Sequence, residues 1–342
     1  MRAEFARGKG NMLKLKYLFE NFDLAKECLG LYDPDWAKTE RLLQYFRVSS
    51  NAVYPFRTTG GKVCFLRLSP AEEKPAPEVE WEARLAEWLN GRGFNAMKPY
   101  PMRDGSVTAV RDTRWGTYNV SCYEAVDGET LEDCEGGPEL ARGYGRTLGQ
   151  MHRHLKECPF GEERRDHRAL MDETRERLLR YGAPESLLRE WESVNEALRQ
   201  LPLNAGCYGV VHYDFEADNV LFDDETGAFG VIDFDDAIRC WYALDLARAI
   251  DCLDDAAGDE DLSRAEEDFL AGYLGETELP AETVAAIPLM RRLVRLQEYA
   301  TILHVLSGPA DCEPDWMTEI ILKLRGRLRA IENELRRTRG KD

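Results

Sequence analysis

The chain has 342 residues, with 45 Lys plus Arg against 63 Asp plus Glu, a formal charge of −18. That charge excludes a nucleic-acid backbone as the main partner, because phosphates would be repelled, but leaves a nucleotide whose charge a cation neutralises. The 44% apolar content argues for a packed globular chain of one large or two ordinary domains.

No run approaches the ~18 apolar residues of a membrane span. The basic N-terminus lacks a signal-peptide apolar core. The nine cysteines are scattered and form no CxxC pair, which points to reduced thiols and a cytoplasmic protein.

Residues 34–45 read as a helix, followed by extended segments at 47–57 and 62–68 around the Thr59-Gly60-Gly61 turn. A Pro-rich connector runs from Pro70 to Pro77. Residues 78–90 read as a helix stopped by Gly91 and Gly93. A second extended pair covers 106–111 and 117–125. Beyond Gly128 the pattern is mostly helical, over 138–156, 168–180, 185–200, 263–274, 281–306 and 315–337. Short strands are expected at 208–213, 219–223 and 228–233. The expected fold class is α+β with two lobes meeting in the 123–130 segment. Residues 1–126 are expected to form the strand-rich lobe, its first 45 partly an added segment, and 127–342 the helical lobe. A cleft between lobes is a common ligand site.

The chemistry concentrates in residues 208–236. His212-x-Asp214 is followed five residues later by Asn219, and Asp233 ends an apolar strand. A loop and a hairpin bring Asp214, Asn219 and Asp233 to one end of a small sheet. Phosphoryl transfer needs such a set, because its catalysis is mostly positioning and electrostatics. Asp214 fits the base for an acceptor hydroxyl. Asn219 and Asp233 offer the oxygens that magnesium prefers. His212 fits a brace of the loop better than a proton carrier.

H-x-D-x-x-x-x-N followed by an I-D-F strand end resembles the catalytic loop and metal-binding segment of the aminoglycoside phosphotransferase and choline kinase superfamily. The Asp233-Phe234-Asp235-Asp236-Ala237 run, Trp241 and Asp245-Leu246-Ala247 resemble its bacterial phosphotransferase enzyme family branch. The resemblance spans roughly residues 40–335. It implies a two-lobed protein-kinase-like fold and an ATP-dependent, magnesium-requiring kinase acting on a small-molecule hydroxyl.

Under that resemblance, Arg67 stands where protein kinases carry the strand lysine, and arginine keeps the charge and binds phosphate. Among Glu78, Glu80, Glu82 and Glu87, Glu82 is the expected partner of Arg67. No GxGxxG is present, and Ser49-Ser50-Asn51 stands where a phosphate-covering turn belongs, with Ser50 and Asn51 as candidates. Glu124 and Val126 are expected to meet the base through backbone groups, which leaves both ATP and GTP open. His152, His304 and Asp245 read as support.

For the acceptor, Asp235, Asp236, Trp241, Tyr242 and Tyr299 are the candidates. The acids Asp235, Asp236, Asp251, Asp254 and Asp255 favour a cationic acceptor such as an aminoglycoside, choline or an amino alcohol, whereas Asp259–Asp261 read as solvated surface. Arg291, Arg292 and Arg295 favour a carboxylate-bearing one such as homoserine. A homodimer is compatible with either. The alternative, a non-catalytic nucleotide-binding or scaffold protein on the same fold, rests on Arg67 in place of lysine and on the missing glycine loop. An enzyme acting on protein hydroxyls would need an activation segment ending in an A-P-E-like motif, which is absent after Asp233.

Overall fold

The structure is a computed structural model that describes residues 21–48, 51–135, 137–256, 262–307 and 315–339. Helix α1 (Phe22–Leu29) buries Leu24, Ala25, Cys28 and Leu29 against the first sheet, and α2 (Trp36–Leu42) follows. The extended 47–57 segment is two strands, β1 (Arg47–Val48) and β2 (Ala52–Arg57). β3 (Val63–Pro70) runs two residues longer than its apolar core and leads through a connector into α3 (Ala76–Gly91). Val79, Leu85, Ala86 and Leu89 form the buried stripe of α3.

β4 (Lys98–Pro99), β5 (Thr108–Thr113) and β6 (Gly116–Glu124) complete a six-stranded antiparallel sheet. Its path is β1-β2-β3-β6-β4, with β5 also on β6. Register pairs Arg67 with Ser121 on β6 and Val53 on β2, so the arginine sits mid-sheet.

After β7 (Glu129–Thr130) the chain is helical: α4 (Pro138–Leu155), α5 (His167–Arg180) and α6 (Glu185–Arg199). Tyr144, Leu148, Met151 and Leu155 recur on one face of α4 and enter the main core. Four short strands interrupt this part: β8 (Tyr208–Val211), β9 (Val220–Asp223), β10 (Ala228–Val231) and β11 (Ile238–Trp241). They form two small sheets, not one: β10-β9-β7 and β11-β8. The expected strands at 208–213 and 228–233 stop two residues early, because Tyr213 and Asp233 adopt φ of 75° and 65°.

α7 (Ala243–Ala256), α8 (Leu262–Leu274), α9 (Ala281–Val305) and α10 (Asp315–Arg339) close the molecule. α4 and α8 touch backbone to backbone. A Cβ on Gly145 would lie 1.8 Å from the Phe269 carbonyl oxygen, so only glycine fits there. No disulfide joins the described cysteines. Among the described residues no helix is long and apolar enough to cross a membrane.

Candidate active site

The two small sheets set the catalytic stretch. Pairing Val220 with Val231 puts Asn219 and Ile232-Asp233 at the same end of the β9–β10 hairpin, and the Ile232 N–H donates to the Asn219 carbonyl at 3.0 Å. Pairing Val211 with Ile238 lays the start of the catalytic loop beside the segment that follows Asp233. His212 donates its Nε2 hydrogen to the Ile232 carbonyl at 2.9 Å and so ties the loop to the residue before Asp233. Burial holds His212 below the usual histidine range, so its ring is neutral and the proton stays on Nε2.

Asp245, fully buried on α7, accepts from the backbone N–H groups of His212 and Tyr213, each at 2.8 Å. Its Oδ2 also meets His152 Nε2 at 3.0 Å, and His152 Nδ1 meets the Tyr273 hydroxyl at 2.9 Å. This brace holds Tyr213 in the left-handed region, an uncommon state for a bulky residue that costs of order 1–3 kcal/mol.

Asp214 follows. Its Oδ2 accepts from Asn219 Nδ2 at 3.2 Å, and its Oδ1 from Arg248 Nη1 at 3.1 Å. Arg248 also donates to Glu216 at 2.5 Å. Burial, then Glu216, raise the Asp214 carboxyl well above the ordinary range, and Arg248 opposes them. Asn219 commits its nitrogen to Asp214, so Oδ1 is the atom it can offer a cation.

Across the cleft, Arg67 Nη1 donates to Glu82 at 2.6 Å, and Nη2 contacts Asp233 and, at 2.9 Å, Asp235. Of the four helix glutamates, Glu82 is the one that reaches it; Glu78 instead pairs with Arg164 at 3.2 Å. Burial, with Asp235 and Glu82 beside it, pushes the Asp233 carboxyl up to about 8 against the pull of Arg67. A carboxylate so placed gains from a further cation. With Asn219 Oδ1 it makes a hard oxygen pair that fits magnesium or calcium. Among the described residues no group of three or more His, Cys, Asp or Glu side chains could hold a metal on its own, so phosphate oxygens would have to complete the shell.

The structure also corrects several acceptor candidates. The Trp241 indole packs 4.4 Å from the His167 ring and donates to the Pro202 carbonyl at 2.9 Å. Tyr242 lies 4.7 Å from the His152 ring, and Tyr299 donates to Glu332 at 2.8 Å. All three are buried core residues with no surface for an acceptor. Asp235 is also turned away from any acceptor. Lys74 contacts it and Asn51 donates to it at 2.7 Å; the Lys74 and Arg67 cations, helped by that hydrogen bond, hold its carboxyl far below the usual range despite burial. Asp236 alone stays near Asp214, close enough to raise it.

Asn51, whose Oδ1 accepts from Ser69 at 2.5 Å, is thus held between β3 and Asp235. Ser49, Ser50 and Asp259–Asp261 lie outside the described residues, as do the side chains of Asp254 and Asp255. Arg291 is paired with Asp251 at 2.6 Å and Arg292 with Glu190 at 2.7 Å, so both have carboxylate partners already. Glu124 pairs its side chain with Lys62 at 2.6 Å. A recess at the junction is lined by Asn95, Lys98, Glu124, Val126, Asp127 and Asp223, among others. It includes none of Arg67, Asp214, Asn219 or Asp233.

Sequence reasoning missed Lys74, Arg164, Glu216 and Arg248. Arg164 donates to the carbonyls of Asp235 and Ala237, both at 2.5 Å.

The profile of the phosphotransferase enzyme family matches residues 46–286. The chain belongs to that family. Among curated proteins it is similar to the amicoumacin kinase of Bacillus subtilis strain 168, 28% identical over 240 residues, which cover 66% of this chain and 68% of that protein. Among solved structures it is similar to an amicoumacin kinase in complex with AMP-PNP, Ca2+ and Ami, with TM-score 0.75, 19% identity and coverage of 92% and 94%. A microcompartment-associated aminopropanol kinase follows with TM-score 0.68, 22% identity and coverage of 92% and 98%. The fold of this phosphotransferase is the two-lobed, protein-kinase-like α+β fold. It is a small-molecule kinase, an enzyme that transfers phosphate to an alcohol group.

Proposed function

We propose that this phosphotransferase moves the γ-phosphoryl group of ATP to a hydroxyl of a small, amine-bearing acceptor. The observation that carries the reading is the convergence of Asp214, Asn219 and Asp233 opposite the Arg67–Glu82 pair. Asp214 takes the proton of the acceptor hydroxyl as its oxygen attacks the γ-phosphorus. Asp233 and Asn219 hold the divalent cation, which when bound neutralises phosphate charge. Arg67, kept in place by Glu82, faces the phosphates. Glu124 and Val126 meet the purine through backbone groups, an arrangement open to GTP as well.

The amine in the acceptor follows from charge. Glu216 and Asp236 stand beside Asp214, both buried. Arg248 is already shared between two of these acids. An incoming ammonium group is attracted to such a mouth, whereas a second anion besides the nucleotide is repelled. The similarity to kinases named for amicoumacin and aminopropanol supports the same class.

A phosphorylation screen tests the reading. ATP and GTP with Mg2+ are offered with aminoglycosides, 1-amino-2-propanol, choline, homoserine and amicoumacin, and products are read by mass. Phosphate transfer to an amine-bearing hydroxyl is expected. Transfer only to acceptors without an amine would overturn the acceptor class.

A further inference from the structure

One buried ion pair beside the base is not absorbed by that mechanism. Arg248 lies on α7 one turn after Asp245, so both face the catalytic loop from the same side of one helix. Asp245 grips the backbone of His212 and Tyr213. Arg248 grips the next residue by its side chain. Its Nη1 is shared between Asp214 Oδ1 at 3.1 Å and Glu216 Oε1 at 2.5 Å, and its guanidinium lies 4.7 Å from the ring centroid of Tyr213. Arg248 is 3% exposed, and Asp214 and Glu216 are 8% exposed.

We propose that Arg248, anchored by Glu216, is a positioning residue that fixes the plane of the Asp214 carboxylate for attack by the acceptor. This rests on the reading of Asp214 as the base. A carboxylate held at a single oxygen swings about its χ2, a broad torsion. Here Oδ2 is held by Asn219 at 3.2 Å and Oδ1 by Arg248, so donors from two elements fix both oxygens. Glu216 supplies what a lone arginine lacks. By accepting from the same guanidinium nitrogen it stops the arginine from following Asp214. The planar fork of arginine suits this double hold, and a lysine ammonium would keep the charge but not the geometry. Arg248 touches no reacting atom.

A purely structural ion pair would lower stability and all kinetic constants together. A positioning pair lowers kcat at constant nucleotide KM, because only the attack geometry is lost. Arg248→Met, Arg248→Lys, Glu216→Gln and the Arg248→Met/Glu216→Gln double variant are compared. The acceptor is the one turned over fastest in the screen, or water, read as ATP hydrolysis, where none is. Mg-ADP binding and thermal melting report folding.

Arg248→Met is expected to lower kcat about 100-fold. Arg248→Lys should recover part of that loss, and Glu216→Gln should cost about tenfold or less. KM for ATP stays within about twofold. Glu216→Gln adds nothing once Arg248 is gone. If Arg248→Met does not fold, Arg248→Lys and Glu216→Gln carry the test. Wild-type kcat in those two, or kcat and KM moving together with the melting temperature, would overturn the proposal. An active Asp214→Asn enzyme would sink the base assignment instead, so the two failures are distinguishable.

Discussion

Two charge clusters, one around Arg67 and one around Asp214, are built differently. The Arg67 cluster is assembled from distant parts of the chain. Its partners Asp233 and Glu82 lie 166 and 15 positions from Arg67, and the Lys74 and Asn51 contacts to Asp235 span 161 and 184. The Asp214 cluster is local. Asn219 is 5 positions away, Arg248 is 34, and Arg248 to Glu216 is 32. The first cluster joins the sheet-bearing part to the Asp233–Asp235 segment and, on the proposed function, orients what binds. The second lies within the helical part and, on the same proposal, orients what reacts. Damage to the first should therefore appear as lost stability and weaker nucleotide binding, and damage to the second as lost turnover.

The sharpest attempt to break that division is Arg67→Met. It leaves the buried Glu82 and Asp235 and the half-buried Asp233 with only Lys74 between them, at an expected cost of about 3–5 kcal/mol of stability, read by denaturant unfolding. ATP KM should rise in whatever fraction folds. A comparable loss of stability, with a different kinetic signature, is expected from Asp245→Ala. It removes the acceptor of two buried backbone N–H groups and frees the strained Tyr213, so kcat should fall more than ATP affinity, with about 1–3 kcal/mol of stability lost per orphaned group.

His167, which contacts Tyr208 and Trp241 and no member of either cluster, is the control. Burial pushes His167 down from 6.5 to about 4, so the fold holds it neutral. Its contribution to stability is whole above about pH 6.5 and is lost as pH falls toward 4, because the unfolded chain takes up the proton first. His167→Gln should flatten the fall in melting temperature across that window relative to wild type, while kcat stays unchanged. Smallest is Tyr299→Phe. It loses one hydrogen bond to Glu332, about 0.5–1.5 kcal/mol, with kcat and KM unmoved.

The contrast also explains what could be read in advance. His212, Asp214, Asn219 and Asp233 fall within 22 positions, flanked by apolar strands, so spacing alone displays them. The contact of Arg67 with Asp233 depends on how two lobes dock, which no local pattern encodes. Lys74 sits in a Pro-rich connector without periodicity, and only the fold shows that its ammonium turns inward. Arg248 left a signal that went unread: a lone charge three residues after Asp245 in an otherwise apolar ALDLARAI helix. Trp241, Tyr242 and Tyr299 failed as acceptor residues for the opposite reason. Closeness in sequence to the motif, or a place on a late helix, does not decide which way a side chain points, and large aromatics most often fill the core. α1 was hidden because it is one short amphipathic helix next to a basic segment, and β11 because four residues carry no period.

The central claim is that Asp214 is the base for an acceptor hydroxyl. The most direct measurement is the single-turnover rate of phosphate transfer from Mg-ATP by Asp214→Asn, with the acceptor from the screen, alongside Mg-ATP binding by calorimetry. Asparagine keeps the shape and the hydrogen bond from Arg248 but cannot take a proton. The expected result is a rate lower by about 10²–10⁴-fold with ATP affinity nearly unchanged. A rate within a few-fold of wild type would contradict the account.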